Sequence, residues 1–296
     1  MMWYDLAAIG AAACWAWGGI LGAGPSRHFG PFAFTRLRLS LLTVLLGGIS
    51  LLSGGWHSIN GSNLWPALLS GLTGIFLGDT IYFSAMNLLG PRRAGLLFAT
   101  HSVFSVVLGI LFLQEKLSLP AFVGSSMVFG GVLLAVAFGR RSADAHAWEH
   151  PTHLKAGVLL GMVAALCQAM GTFFAKPAIA AGLEPVTASA LRMGIACAAH
   201  YLLLLGGLSL ARSRGAYTPR MLGQTALNGL VALGLGMTLI MLALQHANVA
   251  TVGMLSALSP VLILPMLWLV QKQAPPPVAW LGAVVSCAGT ALIVLR

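Results

Sequence analysis

Acidic residues are scarce in this sequence: 6 of its 296 residues are Asp or Glu, against 16 that are Lys or Arg. Charged residues of both signs make up 7% of the chain and hydrophobic residues make up 58%, which gives a mean hydropathy of +0.90. A soluble domain of this size cannot bury so much apolar surface. The lack of charge therefore excludes a soluble globular protein and favours a multi-pass protein of the cell (inner) membrane, with lipid as its surroundings.

Cysteines and nucleotide-binding motifs are also few or missing. The four cysteines lie inside apolar runs, without the spacing of a disulfide framework or a metal site. The sequence has no Gly-x(4)-Gly-Lys-Ser/Thr motif, so ATP is not expected to drive it. The net charge of +10 comes from basic residues in short connections, not from a clustered basic surface. We therefore expect no cofactor and no nucleic-acid partner.

Long apolar runs account for most of the sequence. A helix needs about 20 apolar residues to cross the ~30 Å hydrocarbon core of a bilayer. The runs are too long and too uniformly apolar to be strands of a membrane barrel. The sequence predicts an all-α polytopic membrane protein with about ten transmembrane helices, at residues 5–24, 31–53, 64–87, 93–113, 119–138, 155–175, 185–206, 222–244, 248–270 and 277–295.

An internal repeat divides the chain into two halves. Each half holds five runs, an odd number, so the second half is expected to enter the membrane from the opposite side. Inverted repeats of this kind place the substrate site near the midplane, between the halves. A shift of 158 positions aligns Gly78, Gly95, Gly124 and Gly131 with Gly236, Gly253, Gly282 and Gly289. Slightly smaller shifts align Cys14 and Gly18 with Cys167 and Gly171 (153 positions) and Arg38 with Arg192 (154 positions).

The repeat also sets the domain boundaries. Residues 1–139 form the first five-helix repeat and residues 155–296 form the second, joined by the polar stretch 140–154. The three histidines of this stretch are compatible with a metal site or with a solvated linker, and its polar composition favours the linker. They are His146, His150 and His153.

Basic residues between the runs predict an orientation. Lys and Arg accumulate in cytoplasmic loops. The connections after runs 1, 3, 5, 7 and 9 carry ten cations, whereas the opposite side carries Lys116, Lys176 and Arg296. The loop charges therefore favour both termini outside the cytoplasm. The ten cations are Arg27, Arg92, Arg93, Arg140, Arg141, Lys155, Arg212, Arg214, Arg220 and Lys272.

An ordered set of motifs resembles the EamA-type transporters of the drug/metabolite transporter (DMT) superfamily over nearly the whole chain. No single motif is specific, but their order along the chain is. The motifs are Trp17-Gly18 in run 1, Arg38 and Arg192 in runs 2 and 7, 113–117 (Leu-Gln-Glu-Lys-Leu) at the end of run 4, the paired Gly-x(6)-Gly patterns Gly124/Gly131 and Gly282/Gly289, and Ser259-Pro260-Val261 in run 9.

The resemblance implies ten spans in two repeats, transport of small metabolites, often as export, and termini in the cytoplasm, which differs from the orientation that the loop charges favour. Two positions depart from the family pattern. The first copy has Ser102 where the proline would stand, and the second has Gln273 where the glutamate would stand. Glu115, in the first copy, is expected to anchor a helix end or loop at the interface.

Three ionisable residues are the main candidates for substrate binding or coupling. Asp79 lies inside run 3, where a carboxylate is costly unless it is paired, hydrated or protonated. His101 and Asp79 each stand 11 residues from Gly90, at the turn between runs 3 and 4, so they should lie at similar depth. Arg38 enters from the same side. We hypothesise a polar cluster of these three residues, with Asp79 and His101 as candidates for proton coupling; the alternative for His101 is an internally hydrogen-bonded histidine.

Three further candidates for the substrate site also have a structural interpretation. Arg192 matches Arg38, and is either a second anchor for a carboxylate substrate or an arginine that snorkels at a helix end, the reading we favour. Trp15 and Trp17 lie in the middle of run 1 on different faces, and Trp17, beside a glycine, is the better candidate for the pathway. Tyr82 shares a helix face with Asp79 and also suits core packing.

These observations predict a secondary active transporter for a small organic metabolite, such as an amino acid or related compound. It would act as an exporter, with proton coupling as an option. The alternatives are a passive facilitator, or an importer of a small metabolite such as a sugar. A membrane enzyme would need clustered carboxylates, metal-ligand histidines or a Ser/His/Asp set, and the sequence has none with convincing spacing. A monomer and a homodimer are both compatible with ten spans.

Overall fold

The computed structural model describes residues 2–116, 118–137, 154–262, 265–266 and 277–294. Within these ranges the chain forms helices and short connections and no strand, which confirms the all-α class. Except for Leu154, which begins a helix, the predicted linker with its three histidines lies outside the described residues. Gln273 lies outside them too.

In the part of the chain that the structure describes, the ten predicted runs correspond to ten helical regions. In the first repeat they are α1 (Met2–Phe29), α2 (Pro31–Leu52), α3 (Gly61–Leu89), α4 (two segments, Pro91–Ala99 and His101–Leu113) and α5 (Leu119–Ala137). In the second repeat they are α6 (Leu154–Ala180), α7 (Pro185–Leu205), α8 (Pro219–Leu244), α9 (Val249–Leu262) and α10 (Pro277–Val294).

Seven of these helices, α1–α4 and α6–α8, are long and apolar enough to cross a membrane within the described residues. The apolar helices α5, α9 and α10 are shorter there. Tight connections make neighbouring helices antiparallel. Gly30 and Gly90 adopt positive φ angles of 82° and 81°, which glycine tolerates best, and the proline that follows each glycine starts the next helix.

Helices of one repeat pack mainly on helices of the other. The contacting pairs are α1 with α8, α3 with α6, α2 with α7, α4 with α9, and α5 with α10. The pairs α1 with α8 and α3 with α6 are equivalent, because α6 and α8 are the counterparts of α1 and α3 in the second repeat. In each of the other three pairs, a helix contacts its own counterpart. The core therefore lies between the repeats, as in an approximate two-fold arrangement.

Matched contacts show how closely the two halves correspond. A methyl group on Gly131 would lie 2.5 Å from the carbonyl oxygen of Gly282, and a methyl group on Gly289 would lie 2.5 Å from the carbonyl oxygen of Gly124. Since 124 and 131 match 282 and 289, one close approach between α5 and α10 occurs twice. Small residues allow this approach of helix backbones within a membrane.

Two irregularities also recur at matched positions. The middle of α3 (Gly71–Asp79) and the middle of α8 (Gly229–Leu235) are π-helical, and both stretches begin at equivalent glycines. The α4 helix breaks at Thr100, and α9 breaks at 257–258, the equivalent place. Such wide turns are rare inside helices and are frequent at functional sites.

Candidate functional site

Arg38 and Asp79 form a buried ion pair between α2 and α3. The side chain of Arg38 is 1% exposed and that of Asp79 is 14% exposed. The Arg38 guanidinium packs against two rings that also contact each other edge-on, with Cζ 4.3 Å from the ring centre of Phe34 and 4.6 Å from that of Phe83. The rings shield this side of the guanidinium from solvent, while its Nη atoms reach the Asp79 carboxylate and the Asn228 amide.

A residue of the second repeat completes this pair. Arg38 Nη1 donates a hydrogen bond of 2.7 Å to Oδ1 of Asn228 in α8. The amide Nδ2 of Asn228 donates in turn to the carbonyl oxygen of Gly18 in α1, at 2.7 Å. One polar group thus joins α1, α2 and α3 of the first repeat to α8 of the second. Asn228 was missed in the sequence, where its only signal is an amide next to a glycine in an apolar run.

His101 lies apart from this ion pair. It is 2% exposed, and its ring centre is 6.2 Å from Trp15 and 5.3 Å from Phe98. Its Nε2 has no hydrogen-bond partner, and no hydrogen bond joins it to Arg38 or Asp79 within the described residues. The structure therefore assembles two members of the hypothesised cluster and places the third in an aromatic environment.

A row of contacting aromatic rings links His101 to the ion pair. The ring centre of Tyr82 is 4.6 Å from that of Phe98 and 5.2 Å from that of Phe83. Since Phe98 contacts His101 and Phe83 contacts Arg38, a continuous row of rings connects the histidine to the ion pair. Tyr82 lies in the middle of that row.

The two mid-helix tryptophans lie on different faces of α1, as predicted. Trp15 lies on the packed face, beside His101, and its Nε1 donates to the carbonyl oxygen of Ala232 at 3.1 Å. Trp17 is 41% exposed and shares its face with the exposed Leu6 and Trp3. The close approach at Gly18 is to Ala232 on α8, and the Gly18 position lies about 100° around the helix from Trp17. The structure brings Trp15, rather than Trp17, to the candidate site.

Arg192 occupies the position in α7 that Arg38 has in α2. Its side chain is 1% exposed, so the preferred interpretation of Arg192 as a snorkelling helix-end residue is wrong: the guanidinium does not reach the surface. Nη1 donates to the sulfur of Met241 at 3.5 Å, and Nε has no partner. Within the described part of the chain no carboxylate pairs with this guanidinium.

A second buried histidine was also missed in the sequence. His200 in α7 is 0% exposed, and its Nε2 lies 3.0 Å from the hydroxyl of Thr80, the residue after Asp79. Its ring packs edge-on against Phe76 and Phe32, with ring centres 4.9 Å and 5.9 Å away. The sequence offered no signal for this contact, because α7 and α3 belong to different repeats.

Glu115 anchors a helix end, as predicted. Its carboxylate accepts hydrogen bonds from the backbone N–H groups of Val249 (2.8 Å) and Ala250 (3.0 Å), at the start of α9. Lys176 in α6 donates from Nζ to two carbonyl oxygens at and after the end of α8, those of Leu244 and Ala247, each at 2.8 Å. An anion at a helix start and a cation at a helix end both complement the helix dipole, so these two charges fix the turn between α8 and α9.

Known proteins resemble this chain along its length. The model of the EamA-like transporter family matches residues 2–137 and 155–295. A protein of Streptantibioticus cattleyicolor named "Probable terminal-alkyne amino-acid exporter" is 28% identical over 273 residues, which cover 88% of this chain and 84% of that protein. A solved crystal structure of 18% sequence identity superposes with a TM-score of 0.75, covering 96% of this chain and 94% of the other, which supports the fold.

Proposed function

Because this chain belongs to the EamA-like transporter family, we propose that it is a secondary carrier that exports a small amino acid or a closely related metabolite. The observation that carries the proposal is the polar site buried between the repeats, in which Arg38 and Asp79 of the first repeat meet Asn228 of the second. Ionisable groups inside spans are costly and usually mark a substrate or ion pathway. The substrate would bind at the interface between the repeats, where they rock against each other.

The substrate class and the direction of transport rest on two supports. One relative over most of the chain is named as an amino-acid exporter. In addition, the buried guanidinium of Arg192, which no described carboxylate pairs with, suits a carboxylate, which arginine binds through two parallel hydrogen bonds. An α-amino acid carries such a carboxylate, whereas a sugar does not.

Asp79 is the residue we assign to proton coupling. Protonation of its carboxylate would weaken its ion pair with Arg38, the contact that ties α3 to α2. A local charge change that makes or breaks such a contact can shift the balance between two packed arrangements. His101, which is buried with an unpartnered Nε2, is a secondary candidate for the same role.

Export is tested in cells that do or do not produce the protein. L-Propargylglycine, a terminal-alkyne amino acid, is supplied as a dipeptide so that it is released inside the cell. We expect producing cells to tolerate more of the dipeptide and to retain less of the free amino acid. Greater sensitivity to the free amino acid in the medium would instead indicate import.

Carrier behaviour is tested separately in proteoliposomes. A carrier shows saturable exchange, in which unlabelled amino acid on one side stimulates movement of labelled amino acid from the other. Flux that neither saturates nor responds to the opposite side would indicate a passive channel. An imposed proton gradient tests whether protons drive accumulation by the wild type. A matched preparation of Asp79→Asn, which keeps the shape but removes the charge, tests whether this accumulation requires the Asp79 carboxylate.

A further inference from the structure

The two equivalent arginines have unequal surroundings. Arg38 is paired with the Asp79 carboxylate and the Asn228 amide. Arg192 is equally buried, at 1% exposure, but its described hydrogen-bond partner is the weak acceptor sulfur of Met241. Nε lacks a hydrogen-bond partner in both arginines. The two arginines therefore differ in the hydrogen-bond partners of their Nη atoms.

The sequence explains this asymmetry. At the shift of 158 positions, Met237 stands where the first copy has Asp79. Ser70 stands in α3 at the position that corresponds to Asn228 in α8. The Ser70 hydroxyl donates its hydrogen bond to the carbonyl oxygen of Gly171. Neither replacement supplies an anion to Arg192.

A guanidinium buried without an anion is costly. Removal of one partner from a buried ion pair strongly destabilises a protein, because the remaining charge stays uncompensated. Arg192 is in this situation in the described part of the chain. An anion that binds beside it would gain the full charge-assisted hydrogen bonds.

The wall beside this guanidinium is made of glycine. A methyl group on Gly74, in the π-helical stretch of α3, would lie 3.2 Å from Arg192 Nη2 and 2.9 Å from the Cα atom of Gly171. A methyl group on Gly71 would lie 2.5 Å from the carbonyl oxygen of Arg192. These glycines let α3 approach α6 and α7 closely, and Arg192 Nη2 lies against the backbone of Gly74 at the interface of the repeats.

We infer that Arg192 is the anchor for the carboxylate of the transported substrate, and that Arg38, its equivalent, is not a second anchor because Asp79 already neutralises it. The inference rests on the proposed function for its substrate class. It assigns the anion site to the second repeat and the coupling carboxylate to the first, so that the two repeats divide the chemistry between them.

The test compares two neutral variants of matched shape, Arg192→Met and Arg38→Met, in the full-length protein purified in detergent. Without added ligand, Arg192→Met should keep or raise the thermal unfolding midpoint, because it removes an uncompensated charge. Arg38→Met should lower the midpoint, because it leaves Asp79 unpaired. If Arg192→Met lowered the unfolding midpoint as much as Arg38→Met does, Arg192 would be a structural residue and the inference would be overturned.

Binding is measured with three probes: L-norvaline, L-norvalinamide, which lacks the carboxylate, and n-butyrate, which lacks the ammonium group. We expect L-norvaline and butyrate to stabilise the wild type against heat, and norvalinamide to have little effect. Binding of L-norvaline should weaken by about 10- to 100-fold in Arg192→Met, the loss typical of a charged hydrogen-bond partner. Arg192→Lys should retain part of it.

The outcomes separate this inference from the proposed function. Equal stabilisation by norvaline and norvalinamide, unchanged binding in Arg192→Met, or absence of binding by both carboxylate probes would each overturn the carboxylate anchor. If the probes bind through Arg192 but L-propargylglycine is not exported by cells, the anchor stands and the proposed export of amino acids fails.

Discussion

The carboxylate of Asp79 accepts a hydrogen bond from the guanidinium of Arg38, which packs against the rings of Phe34 and Phe83. This contact joins α2 to α3, and Asn228 extends it to the second repeat. The ion pair is therefore both a structural joint and the place where a change of charge would alter the packing of the two repeats.

Replacement of Arg38 alone or Asp79 alone should lower the free energy of unfolding by more than replacement of both residues together. Asp79→Asn and Arg38→Met each leave one buried charge uncompensated, at a cost of about 3–5 kcal/mol. We expect the double variant to unfold at a higher temperature than the sum of the single changes predicts, as measured by thermal unfolding in detergent. Strict additivity would show that the two side chains do not interact energetically.

Transport by Asp79→Asn should lose its dependence on protons. Asparagine keeps the shape of the side chain but cannot take up or release a proton at this site. We expect exchange of labelled and unlabelled substrate to persist in proteoliposomes, while an imposed pH gradient no longer drives accumulation. His101→Ala provides the comparison: a flattened pH profile there as well would assign part of the coupling to His101, and unchanged profiles in both variants would refute coupling at these residues.

The turn between α8 and α9 should loosen when its charged contacts are removed. Glu115→Ala deprives the N–H groups of Val249 and Ala250 of their acceptor, and loss of a helix cap typically costs about 0.5–2 kcal/mol. We expect a lower unfolding midpoint and faster proteolysis or hydrogen exchange in this turn. Lys116→Ala is the matched control, since Lys116 is exposed and should leave both measurements unchanged.

The contact between α5 and α10 should distinguish two adjacent glycines. Gly131→Ala places a methyl group 2.5 Å from the carbonyl oxygen of Gly282, whereas Gly130→Ala meets nothing within 4 Å. We expect Gly131→Ala to destabilise the protein by about 1–3 kcal/mol and Gly130→Ala to be neutral or slightly stabilising, since alanine is the better helix former. Equal unfolding midpoints for the two variants would mean that the helices can separate at no cost.

Several features of the site could be predicted because they follow from local spacing. Asp79 and Arg38 are ionisable residues at comparable distances from tight turns, so their approach follows from helix geometry. Tyr82 and Phe83 lie one turn after Asp79, and Phe83 does cover the arginine. His101 packs against a row of rings and not against the ion pair, because spacing along a helix does not specify the direction of a side chain.

Other features depend on the partner helix and could not be predicted. Asn228 and His200 reach the region of Asp79 only because α8 and α7 of the second repeat pack against the first. Whether Trp15 or Trp17 faces inwards is likewise decided by the helix that packs on α1. The snorkelling interpretation of Arg192 was wrong for the same reason, since α3 and α8 cover it.

The sequence by itself determined the membrane class, the ten helical regions and the repeat, because the length of apolar runs and the recurrence of motifs can be read directly along the chain. It also determined that the copies differ in their charged residues, with Asp79 in the first copy and Met237 in the second. Only the tertiary structure decided which of the two equivalent arginines is neutralised. Pairing of buried charges depends on contacts between distant segments, and the fold brings a carboxylate to Arg38 and backbone glycine to Arg192.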